Sequence, residues 1–216
     1  SDVCSSDLCD KGDAVLAFFG CFSPPTNGHF CAVGMGCDYL RSIGYNVKKA
    51  IIIPAHGSYN KPGLLPGDVR IELCRLMAAK TDYIEVDSVE TDKKEWSRTI
   101  DTLQYLRDKY AGAHVFMLCG IDTVDCFGKK WRKPDVIRII EEYGLVVLPR
   151  KEGIGDIKTH CSCIEGREQN VHVIGFNPLN DVSSTLVREL IAQGKHTTGL
   201  ISPEVENYIK VNNLFR

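Results

Sequence analysis

Short apolar runs alternate along the chain with stretches in which apolar residues recur every three or four positions. Six runs predict buried β-strands, at residues 14–19, 50–53, 84–86, 115–119, 145–148 and 171–174. The periodic stretches predict helices at 30–43, 68–79, 99–110, 135–143, 184–192 and 203–211. This alternation predicts an α/β fold, a Rossmann-like, doubly wound parallel sheet with helices on both faces. A length of 216 residues suits a single domain.

The second helix is predicted in more detail by its polar start and apolar face. Asp68 suits the N-cap position at the beginning of residues 68–79. Ile71, Cys74, Leu76 and Met77 recur at helical spacing, so we expect them on the inward face.

Composition and charge restrict the classes of partner. The formal net charge is −2, which predicts neither a nucleic acid nor a membrane surface as partner. No apolar stretch approaches the roughly 20 residues that a membrane-spanning helix needs. Residues 1–12 are polar and lack the segments of a secretory signal. We therefore expect a flexible tail or a remnant of upstream sequence there, and a cytoplasmic protein.

The ten cysteines do not follow a metal-binding pattern. No two C-x2-C pairs occur, and several cysteines lie in apolar periodic runs, where a thiol acts as a small hydrophobic group. Without an export signal, reduced thiols are the expected state. Cys161 and Cys163 leave a soft-metal site open as an alternative to an ordinary loop.

The segment FFGCFSPPTNGH, residues 18–29, follows the first predicted strand and opens the first predicted helix. Gly20 allows the backbone to approach a ligand closely. Gly28 and His29 stand at the helix start, where free N–H groups and the helix dipole favour an anion. His29 is thus a candidate phosphate donor, and a helix-capping histidine is the alternative. The GKS/T of a Walker A loop and the GxGxxG fingerprint are both missing.

A second polar helix start occurs in NDVSSTLVREL, residues 180–190. Ser183 suits an N-cap, so that Ser184 and Thr185 lie in the first turn. Arg188 follows about one turn later and has the geometry to fork onto phosphate oxygens. A plain capped amphipathic helix is the alternative. Together, His29 and Arg188 favour a polyphosphate site at the carboxyl end of the sheet.

These two segments resemble the T/H-x-G-H nucleotidyltransferase superfamily. The chain from about residue 14 to 216 is similar, more narrowly, to the eukaryotic-type nicotinamide/nicotinate-mononucleotide adenylyltransferases. The resemblance includes SYNKPGLLP (58–66), KKEWSRTIDTL (93–103), LCGID (118–122), KKWRKPD (129–135) and PEVENYIKVNNLF (203–215). It implies one nucleotidyltransferase domain over residues 13–216, which joins NMN to the adenylyl group of ATP and releases NAD and pyrophosphate. It also implies Mg²⁺ held mainly by the ATP phosphates, and no tightly bound organic cofactor.

The resemblance implies roles for particular residues. His29, Arg188 and Lys61 would bind the phosphates that undergo transfer. No general base is required, because a phosphomonoester with a second pKa near 6 is mostly dianionic at neutral pH. Binding positions are implied in the loops and helix starts that surround the cleft: Gly20, Cys21, Phe22, Tyr59, Trp96, Thr99, Gly120, Asp122, Trp131, Asn180, Ser183, Ser184 and Thr185.

Several of these positions have ordinary alternatives. Trp96 and Trp131 are surrounded by charged residues, which is typical of a surface or cleft, and each ring could stack on a pyridine or cover the rim of the core. Asp122 could bind a ribose hydroxyl or cap a helix. Tyr59 could belong to a mobile polar loop, and Asn180 to a turn.

The chain departs from its relatives at three points. Cys21 stands where serine is usual, and a thiol is a weaker donor. We hypothesise that Cys21 is sensitive to oxidation or alkylation and is protected by ATP; a buried inert cysteine is the alternative. Pro62 replaces a second lysine of some relatives. The short connection between Tyr110 and His114 lacks the long insertion that carries nuclear targeting in some relatives, which favours the cytoplasm.

Two other functions stay open at this stage. One is a different adenylyl- or cytidylyltransferase of the superfamily, which would not need two cleft tryptophans. The other is a non-catalytic nucleotide-binding or chaperone-like module, although His29 and Arg188 are both retained. The expected partners are ATP, NMN or its acid analogue, NAD and pyrophosphate. The sequence leaves open a homo-oligomer and the choice between the two mononucleotides.

Overall fold

A computed structural model describes residues 10–59 and 61–216. They form one six-stranded parallel sheet with strand order β3-β2-β1-β4-β5-β6. The strands are β1 (Asp13–Gly20), β2 (Asn46–Pro54), β3 (Ile84–Val86), β4 (His114–Gly120), β5 (Leu145–Leu148) and β6 (Val171–Val173). Most of the expected N-terminal tail, residues 1–9 with Cys4 and Cys9, lies outside the described residues.

Seven α-helices connect and follow the strands in the described part of the chain. They are α1 (Asn27–Ser42), α2 (Gly67–Ala78), α3 (Thr99–Lys109), α4 (Ile121–Phe127), α5 (Lys133–Arg138), α6 (Ser184–Ala192) and α7 (Pro203–Val211). A π-helical turn, Ile139–Tyr143, continues α5, and three single 3₁₀ turns lie between β5 and β6. None of these helices is both long and apolar enough to cross a bilayer.

Side chains of β1 show why both faces of the sheet are covered. Val15 and Ala17 point into one apolar cluster, which also contains residues of α3, α4 and α5. Ala14 and Leu16 point into a second cluster, which contains residues of α1 and α2. Alternate residues of a strand face opposite sides, so apolar residues at consecutive positions require helices on both. A third cluster, around Val187, joins α6 and α7 to α2.

The structure confirms the predicted Rossmann-like sheet and its six strands, and it corrects several boundaries. The first helix begins at Asn27, three residues earlier than the apolar pattern indicated, and β2 is longer than residues 50–53. The expected Asp68 cap is wrong: Pro66 precedes α2 and Asp68 lies inside its first turn. On that helix Leu73 is fully buried, whereas Leu76 is only partly so. The predicted helix 135–143 divides into α5 and the π-helical turn.

The strand order locates the place where a ligand binds in such folds. Chain connections run outward from β1 through α1 in one direction and from β4 through α4 in the other. The carboxyl ends of these two adjacent strands therefore border a crevice, the topological switch point of the sheet. Gly20 ends β1 and Gly120 ends β4, so both glycine loops singled out in the sequence open at this crevice.

Candidate active site

Thr26 and His29 form a reciprocal cap at the start of α1. The Thr26 N–H donates to His29 Nδ1 at 3.0 Å, and the His29 N–H bonds to Thr26 Oγ1 at 3.4 Å. Because Nδ1 accepts a hydrogen bond, the neutral ring carries its proton on Nε2. Burial lowers the pKa of His29 from 6.5 to about 4. The histidine is therefore both helix cap and neutral donor, with Nε2–H available.

Helix α6 begins against the loop that follows β1. Ser183 caps α6 by accepting from the Leu186 N–H at 3.1 Å, as predicted. The Ser184 hydroxyl donates to the Pro24 carbonyl at 2.7 Å. Arg188 donates from Nη1 to the Ser23 carbonyl at 2.8 Å and from Nη2 to Thr185 Oγ1 at 3.2 Å. These contacts bring the N-termini of α1 and α6 to one cleft.

The two helix starts are also joined directly behind the cleft. Thr26 Oγ1 donates to the Val182 carbonyl at 2.7 Å. The buried Asn177 side chain donates to the Gly28 carbonyl at 2.9 Å and accepts from the Leu179 N–H at 2.9 Å. A Cβ at Gly28 would lie 2.5 Å from the Leu179 carbonyl oxygen and 2.7 Å from that of Val182. Glycine is therefore required where α1 meets the loop before α6.

The cleft has a volume of about 310 Å³. It is lined by Gly20, Cys21, Phe22, Ser23, His29, Lys61, Pro62, Gly63, Leu64, Ser184, Thr185 and Arg188. Its ionisable lining groups besides the Cys21 thiol are His29, Lys61 and Arg188, and no carboxylate is among these residues. Two helix N-termini, two cations and a neutral imidazole donor make an environment that favours a polyphosphate. The structure thus brings together all three predicted catalytic residues.

Tyr59 and Lys61 lie on the loop between β2 and α2, at the rim of the cleft. Lys61 Nζ stands 5.8 Å from the centroid of the Tyr59 ring. The ring is 44% exposed. Burial of the hydroxyl, with smaller contributions from Cys21, Glu90 and Cys126, raises the pKa of Tyr59. Tyr59 is thus near the cleft but does not line its phosphate-sized part.

The two tryptophans occupy different surroundings. Trp96 is 58% exposed in the segment before α3, and Thr99 is the first residue of that helix. Trp131 is partly buried against the core and packs edge-on against Phe127, with ring centroids 4.9 Å apart. Arg98 donates to both oxygens of Asp135 at 3.2 Å, which ties the Trp96 segment to the start of α5 just after Trp131.

The remaining predicted positions lie outside the 310 Å³ cleft. Gly120 is the N-cap of α4, and Asp122 lies in the first turn, not at the cap. The Asp122 carboxylate is exposed and pairs with Arg150, which follows β5. Asn180 is exposed in a turn, where its N–H donates to the Asn177 carbonyl at 3.0 Å. These groups are accessible to a ligand that extends beyond the cleft.

Three residues that hold the site together were not expected from the sequence. Asn177 anchors the loop before α6, Arg98 joins the two tryptophan segments, and Arg70 is buried beneath the loop after β1. Arg70 precedes Ile71 and lies one turn before Cys74, on the inward face of α2. A charged residue on an apolar helical face was the signal available. Asn177 and Arg98 gave no comparable signal, because their partners are distant in sequence.

Comparison with known proteins assigns the class and then the family. Residues 17–190 match the cytidylyltransferase-like family model, so the chain belongs to this class of nucleotidyltransferases. A Caenorhabditis elegans nicotinamide/nicotinic acid mononucleotide adenylyltransferase is 32% identical over 95% of this chain and 99% of its own. An Oryza sativa enzyme of the same description is 31% identical over 95% of this chain and 87% of its own. The chain belongs to the nicotinamide/nicotinic acid mononucleotide adenylyltransferase family.

A solved structure shares the fold at low sequence identity. The nicotinic acid mononucleotide adenylyltransferase of Plasmodium falciparum complexed with NaAD superposes with a TM-score of 0.71, at 16% identity. The match covers 94% of this chain and 97% of that one. It supports the single α/β architecture described above.

Proposed function

We propose that this protein transfers the adenylyl group of ATP to nicotinamide mononucleotide, and to nicotinate mononucleotide, forming NAD or deamido-NAD and pyrophosphate. The observation that carries the proposal is the convergence of His29, Lys61 and Arg188 on a cleft at the switch point whose described lining residues include no carboxylate. The family membership given by relatives at 31% and 32% identity supports the choice of reaction.

The chemistry assigned to the site is positioning and charge stabilisation. The nucleophile is the phosphate of the mononucleotide, which is mostly dianionic at neutral pH and needs no base. His29 donates from Nε2–H to a transferring phosphate, because its Nδ1 accepts from the Thr26 N–H and leaves the ring proton on Nε2. Arg188 and Lys61 neutralise charge that develops on the α-phosphate and the leaving pyrophosphate. The N-termini of α1 and α6 add partial positive charge.

The pyridine and ribose groups are assigned to the wider rim. We place the pyridine between the Trp96 and Trp131 segments beside Thr99, and a ribose near Gly120 and Asp122. Because Arg150 pairs with Asp122, it must release or share that carboxylate when the ribose binds. The backbone of Gly20, Cys21 and Phe22 and the start of α6 meet the phosphates. Tyr59 and Asn180 are assigned to contacts with the bound nucleotides.

The ligands of a divalent cation at this site are assigned to the substrate and not to protein side chains. The described residues contain no group of three His, Cys, Asp or Glu side chains able to hold a metal, and the cleft lining offers no carboxylate. Mg²⁺ favours phosphate and water oxygens. We therefore assign it to the ATP phosphates, where it supplies charge neutralisation. A net charge of −2 supports small-molecule rather than nucleic-acid or membrane partners. A cytoplasmic location stays a prediction, and assembly into a homo-oligomer stays open.

Replacement of His29 tests its assigned role as a donor to the transferring phosphate. We expect His29→Ala to lower turnover by about 10²-fold or more, the scale seen when a transition-state charge contact is lost. His196→Ala is the matched control, since His196 is exposed and lies away from the cleft. Dinucleotide formation is measured by chromatography. Near-normal turnover in His29→Ala would remove the histidine from the mechanism.

A further inference from the structure

Arg70 is a buried cation that is bonded to backbone carbonyls. It is the fourth residue of α2 and is 0% exposed. Its three hydrogen bonds all go to backbone carbonyls: Nε to Leu65 at 2.9 Å, Nη1 to Cys21 at 3.0 Å and Nη2 to Ala55 at 2.8 Å. Among the residues that the structure describes, no carboxylate pairs with it. Buried charges are normally paired with an opposite charge, so this guanidinium requires an explanation beyond stability.

The three carbonyls belong to three segments that surround the phosphate cleft. Cys21 follows β1 and lines the cleft, and Ala55 follows β2. Leu65 ends the loop that carries Lys61. A planar guanidinium is the side chain that reaches three acceptors in fixed directions at once. Arg70 therefore fixes the loop after β1 relative to the Lys61 loop, from the side opposite the cleft.

The bond to Cys21 also determines where the next N–H points. In a trans peptide the carbonyl oxygen and the following N–H both lie in the peptide plane and point in opposite directions. With the Cys21 carbonyl directed at Arg70, the Phe22 N–H is directed away from Arg70. Phe22 lines the cleft, its φ is +47°, and its N–H has no protein partner within residues 10–59 and 61–216. The hydrogen bond from a cation also polarises this peptide and strengthens its N–H as a donor.

We propose that Arg70 is a positioning residue for adenylyl transfer: it holds the Cys21–Phe22 peptide so that the Phe22 N–H meets a substrate phosphate. Its positive charge stays unneutralised until the phosphates bind on the other side of that peptide. The inference rests on the proposed function only for the identity of the phosphate, because any pyrophosphate-sized anion in the cleft would meet the same N–H.

Arg70→Lys tests the proposal with inorganic pyrophosphate as the probe. Lysine keeps the charge but presents a single compact ammonium, which cannot hold three carbonyls in the geometry of the guanidinium fork. We expect pyrophosphate affinity, measured by titration calorimetry, and kcat/KM to fall by about 10- to 100-fold, as for one lost charge-assisted hydrogen bond. Met77→Ala is the matched control. It removes a buried side chain of the same helix that does not line the cleft, and should lower stability while pyrophosphate affinity stays unchanged.

Unchanged affinity and kcat/KM in folded Arg70→Lys would overturn the proposal, and so would an equal loss of affinity in Met77→Ala. A measurement on the wild-type chain covers the case in which Arg70→Lys does not fold. The amide resonance of Phe22 should shift on addition of pyrophosphate, and an unmoved resonance at saturation would overturn the proposal. If Arg70→Lys loses pyrophosphate affinity and the wild-type Phe22 resonance shifts, but the wild-type protein forms no dinucleotide, the positioning role stands and the proposed function fails.

Discussion

Gly28→Ala tests the contact between the two helix starts of the cleft. The new Cβ would lie 2.5 Å from the Leu179 carbonyl oxygen and 2.7 Å from that of Val182. Ordinary contact begins at 3.4 Å, so the loop before α6 must move back by about 0.9 Å. Neither neighbour is a flexible side chain that can turn aside, because both atoms belong to the backbone.

The cost of that movement follows from the bonds it strains. The Thr26 hydroxyl bonds to the Val182 carbonyl at 2.7 Å, and Asn177 bonds to the Gly28 carbonyl at 2.9 Å. Losing two such bonds costs about 1 kcal/mol each. Overpacking adds about 1–3 kcal/mol. We therefore expect the free energy of unfolding to fall by about 3–5 kcal/mol, a large part of the 5–15 kcal/mol typical of a domain.

Gly34→Ala supplies the matched control for that measurement. Gly34 lies on the same helix, and its Cβ would meet only the Tyr83 hydroxyl, at 3.8 Å. Alanine there should raise stability by about 0.5–1 kcal/mol through helix propensity. Urea unfolding of both variants and the wild type gives the three free energies. A loss below about 1 kcal/mol in Gly28→Ala, or an equal loss in Gly34→Ala, would refute the described packing.

Three further outcomes are expected. Since burial lowers the pKa of His29 to about 4, only the unfolded chain gains this proton as pH falls from 6.5 towards 4. The free energy of unfolding should fall over this range by up to about 1.4 kcal/mol per pH unit. Urea unfolding at pH 7 and pH 5 should show a smaller fall in His29→Gln than in the wild type. Asp135→Asn breaks the pair with Arg98 and should raise the KM for the mononucleotide more than that for ATP, in steady-state kinetics. Cys21 lines the cleft, so ATP should slow its alkylation, followed by mass spectrometry; equal rates with and without ATP would contradict this.

The sheet and its order of elements were predictable because apolar residues at consecutive positions occur where strands are covered on both faces. All six strands and six of the seven described α-helices were expected from this signal. Helix α4 was missed because seven residues are too few to establish a 3.6-residue period. The start of α1 was displaced because Thr26 and His29 form a cap, which apolar periodicity does not report.

The site was predictable to the extent that it depends on local motifs. His29 and Arg188 each follow a capped helix start, and the structure brings both to the cleft with Lys61. Arg70 and Asn177 also act through carbonyls that are distant in sequence: Ala55 and Cys21 lie 15 and 49 residues from Arg70, and Gly28 lies 149 residues from Asn177. Such partners follow from tertiary packing and are visible in no short window of sequence. The Arg98–Asp135 pair, 37 residues apart, is of the same kind.

The most direct measurement of the central claim is product formation from a panel of acceptors. Purified protein is incubated with Mg²⁺ and ATP plus, separately, nicotinamide mononucleotide, nicotinate mononucleotide or phosphopantetheine, and with glycerol phosphate plus CTP. Chromatography then quantifies dinucleotide and pyrophosphate. We expect NAD or deamido-NAD with equimolar pyrophosphate, from the pyridine mononucleotides only. Product from another acceptor, or measurable ATP binding without any product, would contradict it.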